Sequence, residues 1–309
     1  HAREVARVFL KEMRRNGTTT ALVFPTVHAA SVEALFEEAL KLGLRLVAGK
    51  VLMDRNAPPA LLESPEAARR ASRRLIRQWH GRGRLLYAVT PRFAPTCSPA
   101  LLETAGRLLA EHPGVYLHTH LAECRREVEW VRRLFPGSRG YLDVYERRGL
   151  VGPRSVFAHC LKLSEGEWRR LASAGASAAF CPTSNLFLGS GLFDLGRARR
   201  HGAPVGIGTD VGAGTSFSLL QNLNEAYKIL QLQGQRLSPL DAFRMATLGG
   251  AQALGLDGVV GNFAPGKEAD FVVLDLKATP LLAYRSAAAR AIEDALFLLM
   301  TLGDDRAVR

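Results

Sequence analysis

The sequence lacks several features, and each absence argues against a class of protein. No apolar run approaches the roughly 18 residues that cross a bilayer, and no signal-peptide pattern opens the chain. No glycine-rich phosphate loop follows an early strand candidate, which disfavours an open nucleotide-binding sheet. The four cysteines show no C-x-x-C spacing, so we expect reduced thiols in a cytoplasmic protein.

Lysine is also scarce, because only seven of the 41 basic residues are lysines. With 29 acidic residues the formal net charge is +12. The arginines occur as scattered pairs on the polar faces of predicted helices, without an accompanying aromatic signature. We therefore expect no nucleic-acid partner and no membrane partner. Nucleic-acid binding stays an alternative, and it would give strongly salt-dependent retention on DNA.

The chain does contain a regular alternation of short apolar runs with longer amphipathic runs. Its 309 residues, 47% of them hydrophobic, can bury the core of one barrel-sized domain. Strands are predicted at 18–24, 44–49, 85–90, 115–120, 155–160, 177–181 and 204–210. Helices are predicted near 30–42, 64–80, 98–111, 123–135, 164–174, 192–201 and 216–232.

Alternation of strands and helices along a whole chain predicts a parallel sheet. A helical pattern, EVARVFLKEMRR, precedes the first of the seven strands, and the chain opens on His1 instead of Met. We therefore predict an α/β protein, a (β/α)8 TIM-type barrel that lacks its first strand. Residues 1–257 are assigned to this barrel. Residues 258–309 are assigned to part of a small appended β domain, with one strand and a C-terminal helical segment.

Potential metal ligands stand at the carboxyl ends of three predicted strands, where barrel enzymes place catalytic groups. His120, His159 and Asp210 each close a different strand. Taken singly, such a histidine is more often a packing residue and such an aspartate a helix cap. Together they predict a site for a borderline divalent cation such as Zn²⁺ or Fe²⁺. His118 lies lower on the same face of that strand, and we interpret it as a packing residue or as one that supports the ligands from behind.

Glu123 lies three residues beyond His120, at the start of a predicted helix. A bound cation lowers the pKa of water from about 15.7 to about 7. A carboxylate beside that water can carry protons from it to a leaving amine. Glu123 is therefore the predicted proton carrier, and a catalytic role for Asp210 is implied only by the resemblance to a known family given below.

Several segments resemble the amidohydrolase superfamily, in its aminohydrolase branch. They are HTHLAE (118–123), VFAHC (156–160), FCPTSN (180–185), GIGTDVGAG (206–214) and ATLGGAQALGLDGVVGNFAPGKEADFVVLD (246–275). Three more are most similar to the members of that branch that deaminate guanine. These are NGTTTA (16–21), VTPRFAPTCS (89–98) and LGGAQALGLDG (248–258).

The resemblance implies hydrolytic deamination of guanine to xanthine and ammonia by a metal-activated water. It implies one Zn²⁺ per subunit, with Fe²⁺ as the other candidate, and a homodimer that binds a small-molecule purine base. The metal ligands, carried over by position, are His120, His159 and Asp210, and the proton carrier is Glu123.

Arg92 and Phe93, in TPRF, correspond to the pair that contacts the purine, by hydrogen bonding and by packing on the ring. The implied substrate-binding set is Arg92, Phe93, His120, Glu123 and Asp210. Without the resemblance, Arg92 would be predicted to be an exposed cation and Phe93 a core residue.

The family carries a further metal-binding His-x-His pair on its first strand, and no such pair precedes residue 16. We therefore expect the chain as it stands to bind metal weakly or not at all, and to be inactive. Two alternatives stay open. One is a deaminase or chlorohydrolase acting on cytosine, a triazine or a modified adenosine. The other is a rim that binds a ligand without turning it over.

Overall fold

The computed structural model describes all residues, His1–Arg309, and they form two compact units. The first unit comprises His1–Leu10 and Thr20–Ser177, and the second comprises Lys11–Thr19 and Ala178–Arg309. The first helix, α1 (Ala2–Arg15), therefore contributes residues to both units. None of the helices combines the length and apolar character that a bilayer crossing requires.

The first unit consists of parallel strands that alternate with helices. Its strands are β1 (Thr20–Val23), β2 (Arg45–Ala48), β3 (Val51–Leu52), β4 (Leu85–Pro91), β5 (Tyr116–Leu121) and β6 (Ser155–His159). Its further helices are α2 (Ala29–Lys41), α3 (Pro65–Trp79), α4 (Pro99–Glu111), α5 (Arg125–Leu134), α6 (Tyr141–Glu146) and α7 (Glu165–Ser173). The strands pair in the order β1-β2-β4-β5-β6, and β3 pairs with β4.

Most strands of the first unit are buried on both faces, as parallel strands covered by helices are, whereas β1 is half-buried along its length. Every residue of β2 and of β6 is buried. Strands β2 and β4 pack so closely that a side chain at Gly49 would collide with the carbonyl oxygen of Ala88. The absence of a Cβ at Gly49 is thus what lets the backbone pass there.

Serine caps fix where the helices of the first unit begin. The hydroxyl oxygens of Ser64, Ser98 and Ser164 each accept a hydrogen bond from a backbone N–H in the first turn of α3, α4 and α7. Such a cap stabilises a helix by about 1 kcal/mol. Each helix start therefore follows from a local sequence signal.

The second unit contains one parallel strand pair and several helices. Its strands are β7 (Ser177–Phe180) and β8 (Val205–Ile207). Its helices are α8 (Pro182–Phe187), α9 (Leu195–Arg200), α10 (Leu219–Leu232), α11 (Pro239–Arg244), α12 (Gly250–Ala253), α13 (Pro280–Ser286) and α14 (Ile292–Leu302). A π-helical turn, Met245–Gly249, joins α11 to α12. One apolar core in this unit comprises Leu220, Leu282, Leu298, Leu299 and Ala307.

All seven predicted strands are present, within a few residues of their predicted bounds. The strand predicted within 258–309, at the end of VVGNFAPGKEADFVVLDL (259–276), is absent. A single antiparallel bridge between Leu274 and Val308 is found there instead. Phe271 and Val273 are 58% and 53% exposed, because no strand lies alongside to pair with them. The assignment of residues 258–309 to a separate small domain stays a prediction.

Candidate active site

The carboxyl ends of β5 and β6 lie side by side, and they carry two of the predicted ligands. The register pairs His120 with Ala158 and Leu121 with His159. Regular alternation would direct His159 to the face opposite His120. The left-handed backbone of His159, with φ of +72°, breaks that alternation at the strand end. The two imidazoles stack, with ring centroids 5.4 Å apart and planes 17° from parallel.

The ring of His120 has a fixed orientation. Its Nδ1 lies 2.6 Å from the backbone carbonyl oxygen of Arg92, which follows β4. A carbonyl accepts only, so Nδ1 carries the proton and Nε2 keeps its lone pair for a metal. The edge of Phe24, beyond the end of β1, packs against the same ring at a centroid distance of 4.7 Å.

Backbone strain accumulates at these strand ends. Ala122 and Cys160 have φ values of +51° and +55°, in addition to the +72° of His159. A left-handed non-glycine residue costs on the order of 1 kcal/mol and persists only where its surroundings hold it. The N–H of Cys160 donates to the carbonyl of Leu121, and the N–H of Lys162 donates to that of Ala122, each at 2.9 Å. These two hydrogen bonds therefore hold the strained ends of β5 and β6 against each other.

Glu123 follows directly after the strained end of β5. Its carboxylate Oε2 lies 3.6 Å from Nε2 of His159, and its side chain keeps 21% exposure while that of His159 keeps 1%. A partly exposed carboxylate next to a buried imidazole can reach both solvent and the atoms bound at the site. This position suits a group that transfers protons.

His118 lies deeper on β5 and is buried. Its ring meets Phe24 edge to face, with centroids 5.2 Å apart. Burial, together with the neighbouring His120 and His159, lowers the pKa of His118 to about 3. The residue is thus a neutral packing histidine, as strand alternation indicates.

Arg92 and Phe93 form a partly open surface beside His120. The Arg92 guanidinium lies 5.0 Å from the centroid of the Phe93 ring. That ring meets His120 and Trp130 edge to face, at 6.4 and 6.2 Å. Arg92 is exposed and Phe93 is half-buried, so the expectation of a core phenylalanine, made without the resemblance, is wrong. An aromatic face and a forked cation are thus both available to a planar ligand.

A buried tyrosine that the sequence did not single out joins these parts. The hydroxyl of Tyr145, on α6, accepts from the N–H of Ala94 at 2.9 Å and donates to the carbonyl of His120 at 3.0 Å. Thr119 Oγ1 lies 3.3 Å from the same hydroxyl and donates to the carbonyl of Arg92 at 3.2 Å. The segment that carries Arg92 is therefore fastened to β5.

A second unpredicted residue, Glu127, lies beneath Glu123 in the first turn of α5. Its Oε2 accepts from the N–H of Glu123 at 2.8 Å, and its Oε1 accepts from the hydroxyl of Tyr141 at 2.6 Å. Burial raises the pKa of Glu127, and the Tyr141 hydrogen bond opposes that shift. The sequence does carry a signal for the role of Glu127, namely a glutamate three residues after the position that caps the helix, Cys124. It was overlooked because cysteine is not a usual helix cap.

Asp210 belongs to the second unit, in the loop after β8, and has φ of +48°. Its backbone carbonyl accepts from Ala213. The cap of the next helix, α10, is Ser218, so Asp210 does not have the capping role of an ordinary aspartate after a strand. A side chain at Gly214 would collide with the carbonyl of Thr209, so the glycine allows the loop to fold back on itself.

The donor set fits a borderline divalent cation. The first unit presents two imidazoles, one of them with its protonation fixed by a backbone carbonyl, and one carboxylate beside them. Nitrogen donors of this kind suit zinc or iron, whereas calcium and magnesium prefer oxygen donors alone.

Comparison with known proteins identifies the family of this chain. A family model described as the amidohydrolase family matches residues 1–301. The chain belongs to the amidohydrolase family. The sequence is 57% identical to guanine deaminase of Escherichia coli (strain K12) over 308 residues, which cover 100% of this chain and 70% of that protein. The match confirms the recognition made from the sequence motifs.

Comparison with solved structures finds similarity to the same kind of protein. The structure of E. coli guanine deaminase matches with a TM-score of 0.98, covering 99% of this chain and 72% of that one. Guanine deaminase from C. acetobutylicum with bound guanine is 29% identical, with a TM-score of 0.91 over 99% of this chain and 73% of that one. These matches confirm the α/β fold class of the (β/α)8 barrel and identify a hydrolase.

A less similar solved structure belongs to an enzyme for one of the alternative classes of substrate. An atrazine chlorohydrolase variant from Arthrobacter aurescens, complexed with zinc and atraton, is 26% identical, with a TM-score of 0.88 over 99% of this chain and 70% of that one. The guanine deaminases above share more sequence with this amidohydrolase, so the alternative heterocycles are not favoured. Enzymes of the family are generally metal-dependent.

Proposed function

We propose that the protein hydrolyses guanine to xanthine and ammonia. The observation that carries this proposal is the juxtaposition of Arg92 and Phe93 with His120, in a chain 57% identical to E. coli guanine deaminase. One water is consumed, the exocyclic amine leaves as ammonia, and a carbonyl oxygen takes its place on the ring carbon.

Recognition of the base is assigned to Arg92 and Phe93. The N7–O6 edge of guanine offers two acceptors, and an arginine fork donates to both. Adenine presents a donor in place of O6, so an arginine there favours guanine. The Phe93 ring packs on the purine face. His120, Glu123 and Asp210 complete the proposed substrate-binding set.

The proposed metal ligands are His120, His159 and Asp210. Support comes from the Nδ1 contact of His120 with the Arg92 carbonyl, which leaves Nε2 as a donor, and from the family motif GTD that contains Asp210. When bound, the cation supplies an activated water at neutral pH. Zinc is the proposed ion, since the Arthrobacter relative is complexed with it, and Fe²⁺ is the alternative.

Proton movement is assigned to the chain's carboxylates. Glu123 takes one proton from the water and delivers it to the ring nitrogen. It then passes the second water proton, released as the added oxygen becomes a carbonyl, to the amine, which departs as ammonia. Its partial exposure and its 3.6 Å separation from His159 support this role. Asp210 orients the water and assists its deprotonation.

Three further assignments complete the proposal. The division into a barrel over 1–257 and part of a small β domain over 258–309 rests on the sequence pattern, the homodimer rests on the family resemblance, and the cytoplasmic location rests on the cysteines. The four free cysteines agree with a reducing compartment. Light scattering on the purified protein tests the dimer, and a single-subunit mass would contradict it.

The activity is tested by ammonia release from a panel of bases, using purified full-length protein. Guanine should be turned over with a kcat/KM at least about 100-fold above that for cytosine, adenosine or a triazine. Xanthine must appear in the same amount as ammonia. Turnover of another heterocycle with none of guanine would overturn the proposal.

A further inference from the structure

Glu127 uses both carboxylate oxygens to hold backbone and side-chain groups beside the proposed site. Oε2 accepts from the N–H groups of Glu123 and Cys124, at 2.8 and 3.4 Å. Oε1 accepts from the Tyr141 hydroxyl at 2.6 Å. The Glu127 side chain is buried, with 8% exposure, so water does not substitute for these contacts.

These contacts fix the segment that carries Glu123 from one side, and the end of β6 fixes it from the other. Immediately before Glu123, Ala122 is held at φ of +51° by the bond from the N–H of Lys162 to its carbonyl. Immediately after it, the Glu127 anchor begins. A strained residue relaxes when one of its restraints is removed. Relaxation at Ala122 would carry the Glu123 carboxylate away from His159.

From this arrangement we infer that Glu127 is a positioning residue, which holds the Glu123 carboxylate where it transfers protons. The inference rests on the proposed function, in which Glu123 carries the protons. Displacement of a reacting group by about 1 Å lowers a rate by about 100-fold. The effect should therefore fall on turnover while substrate and metal still bind.

The chain offers a matched control in Glu167, at the equivalent position of α7. It too is 8% exposed, and its carboxylate accepts from the N–H and hydroxyl of Ser164 and from the N–H of Leu142. None of these donors belongs to a residue of the proposed site. Glu167 thus shares the capping role of Glu127 without the link to a proton carrier.

The test compares Glu127→Ala with Glu167→Ala in the full-length protein. Each substitution removes three accepted hydrogen bonds, two from backbone N–H groups and one from a hydroxyl, so both should lower the denaturation midpoint by similar amounts. Only Glu127→Ala should lower kcat for guanine, by about 100-fold, with KM changed less than about 3-fold and metal content unchanged. Glu167→Ala should keep kcat within about 2-fold of the wild type.

Equal losses of kcat in the two variants, or an unchanged kcat in Glu127→Ala, would reduce Glu127 to a helix cap and overturn the inference. If Glu127→Ala does not fold, Tyr141→Phe replaces it, because this change removes one of the three contacts. A lowered kcat in Tyr141→Phe then supports the inference, and wild-type kcat contradicts it.

A crystallographic readout separates this inference from the proposed function. If the wild type does not deaminate guanine, the proposed function fails, and the positions of the side chains still decide the role of Glu127. The Glu123 Oε2 to His159 Nε2 separation, 3.6 Å here, should lengthen in Glu127→Ala and persist in Glu167→Ala. An unchanged separation in both variants would contradict the inference.

Discussion

The carbonyl oxygen of Arg92 lies 2.6 Å from Nδ1 of His120. One residue thus serves two parts of the site. Its backbone fixes the ring of a proposed metal ligand, and its guanidinium, over Phe93, is the proposed contact for the base. A change confined to the Arg92 side chain should therefore alter substrate binding and leave the metal in place.

Replacement of Arg92 by lysine tests this separation. Lysine keeps the charge but donates as a single point, so the bidentate contact with guanine is lost. We expect kcat/KM for guanine to fall about 10- to 100-fold, largely through KM, while metal analysis shows wild-type content. The control is Arg82→Lys, since Arg82 lies over Trp79 at a similar 5.1 Å but has no proposed contact with the base. Loss of metal in Arg92→Lys would contradict the separation.

Glu123→Gln separates proton transfer from metal binding. The amide is nearly isosteric but does not take a proton from water. We expect kcat to fall by about 1,000-fold while metal content and folding stay unchanged. Kinetics and elemental analysis on the same preparation give both quantities. Loss of the metal would show that Glu123 is itself a ligand and that its assigned role is wrong.

Tyr145→Phe should destabilise the first unit. The change leaves the N–H of Ala94 and the carbonyl of His120 without their buried partner. An unsatisfied buried group costs about 1–3 kcal/mol, so urea denaturation should show a loss of about 2 kcal/mol in the free energy of unfolding. A loss below about 0.5 kcal/mol would mean that water or Thr119 takes over these bonds.

Asp143 should make stability depend on pH in the acidic range. Burial would raise the pKa of this carboxyl, but hydrogen bonds from Arg139, with the charges of Arg139 and Arg147, hold it below its ordinary value. The unfolded chain then binds protons more readily than the folded one as the pH falls. Stability from Asp143 is thus fully present above the unfolded pKa and is lost on acidification through the lower folded pKa.

The same reasoning gives the measurement for Asp143. The unfolding free energies of the wild type and of Asp143→Asn should differ most near neutral pH and converge as the pH is lowered. Asparagine does not titrate, so its curve should be flatter. Parallel curves at all pH values would contradict the role given to Asp143.

The strand–helix order could be predicted because each element carries its own local signal. Runs such as SVFAH give β6, and serine caps give the starts of α3, α4 and α7. Two shorter elements were not predicted, because β3, with two residues, and α6, with six, are too short to show a periodic pattern of apolar residues. Position at a predicted strand end was enough to nominate His120, His159 and Asp210, and the spacing after His120 nominated Glu123.

Other parts of the site depend on packing and could not be predicted. The contact between His120 and Arg92 spans 28 residues of sequence and exists only because β4 and β5 are neighbours. The left-handed φ of His159, at the strand end where its ring stacks on that of His120, has no signal in the local sequence. Glu127 was missed because its helix begins at Cys124, a residue type that rarely caps helices.

The central proposal is that water is added to guanine with the help of a cation, for which His120, His159 and Asp210 are the proposed ligands. Its most direct test follows xanthine and ammonia from guanine with the full-length protein as purified, after chelation, and after reloading with Zn²⁺. We predict equal amounts of both products, loss of activity on chelation and recovery on reloading. Unchanged activity after the metal has been removed, or no xanthine from the loaded protein, would contradict it.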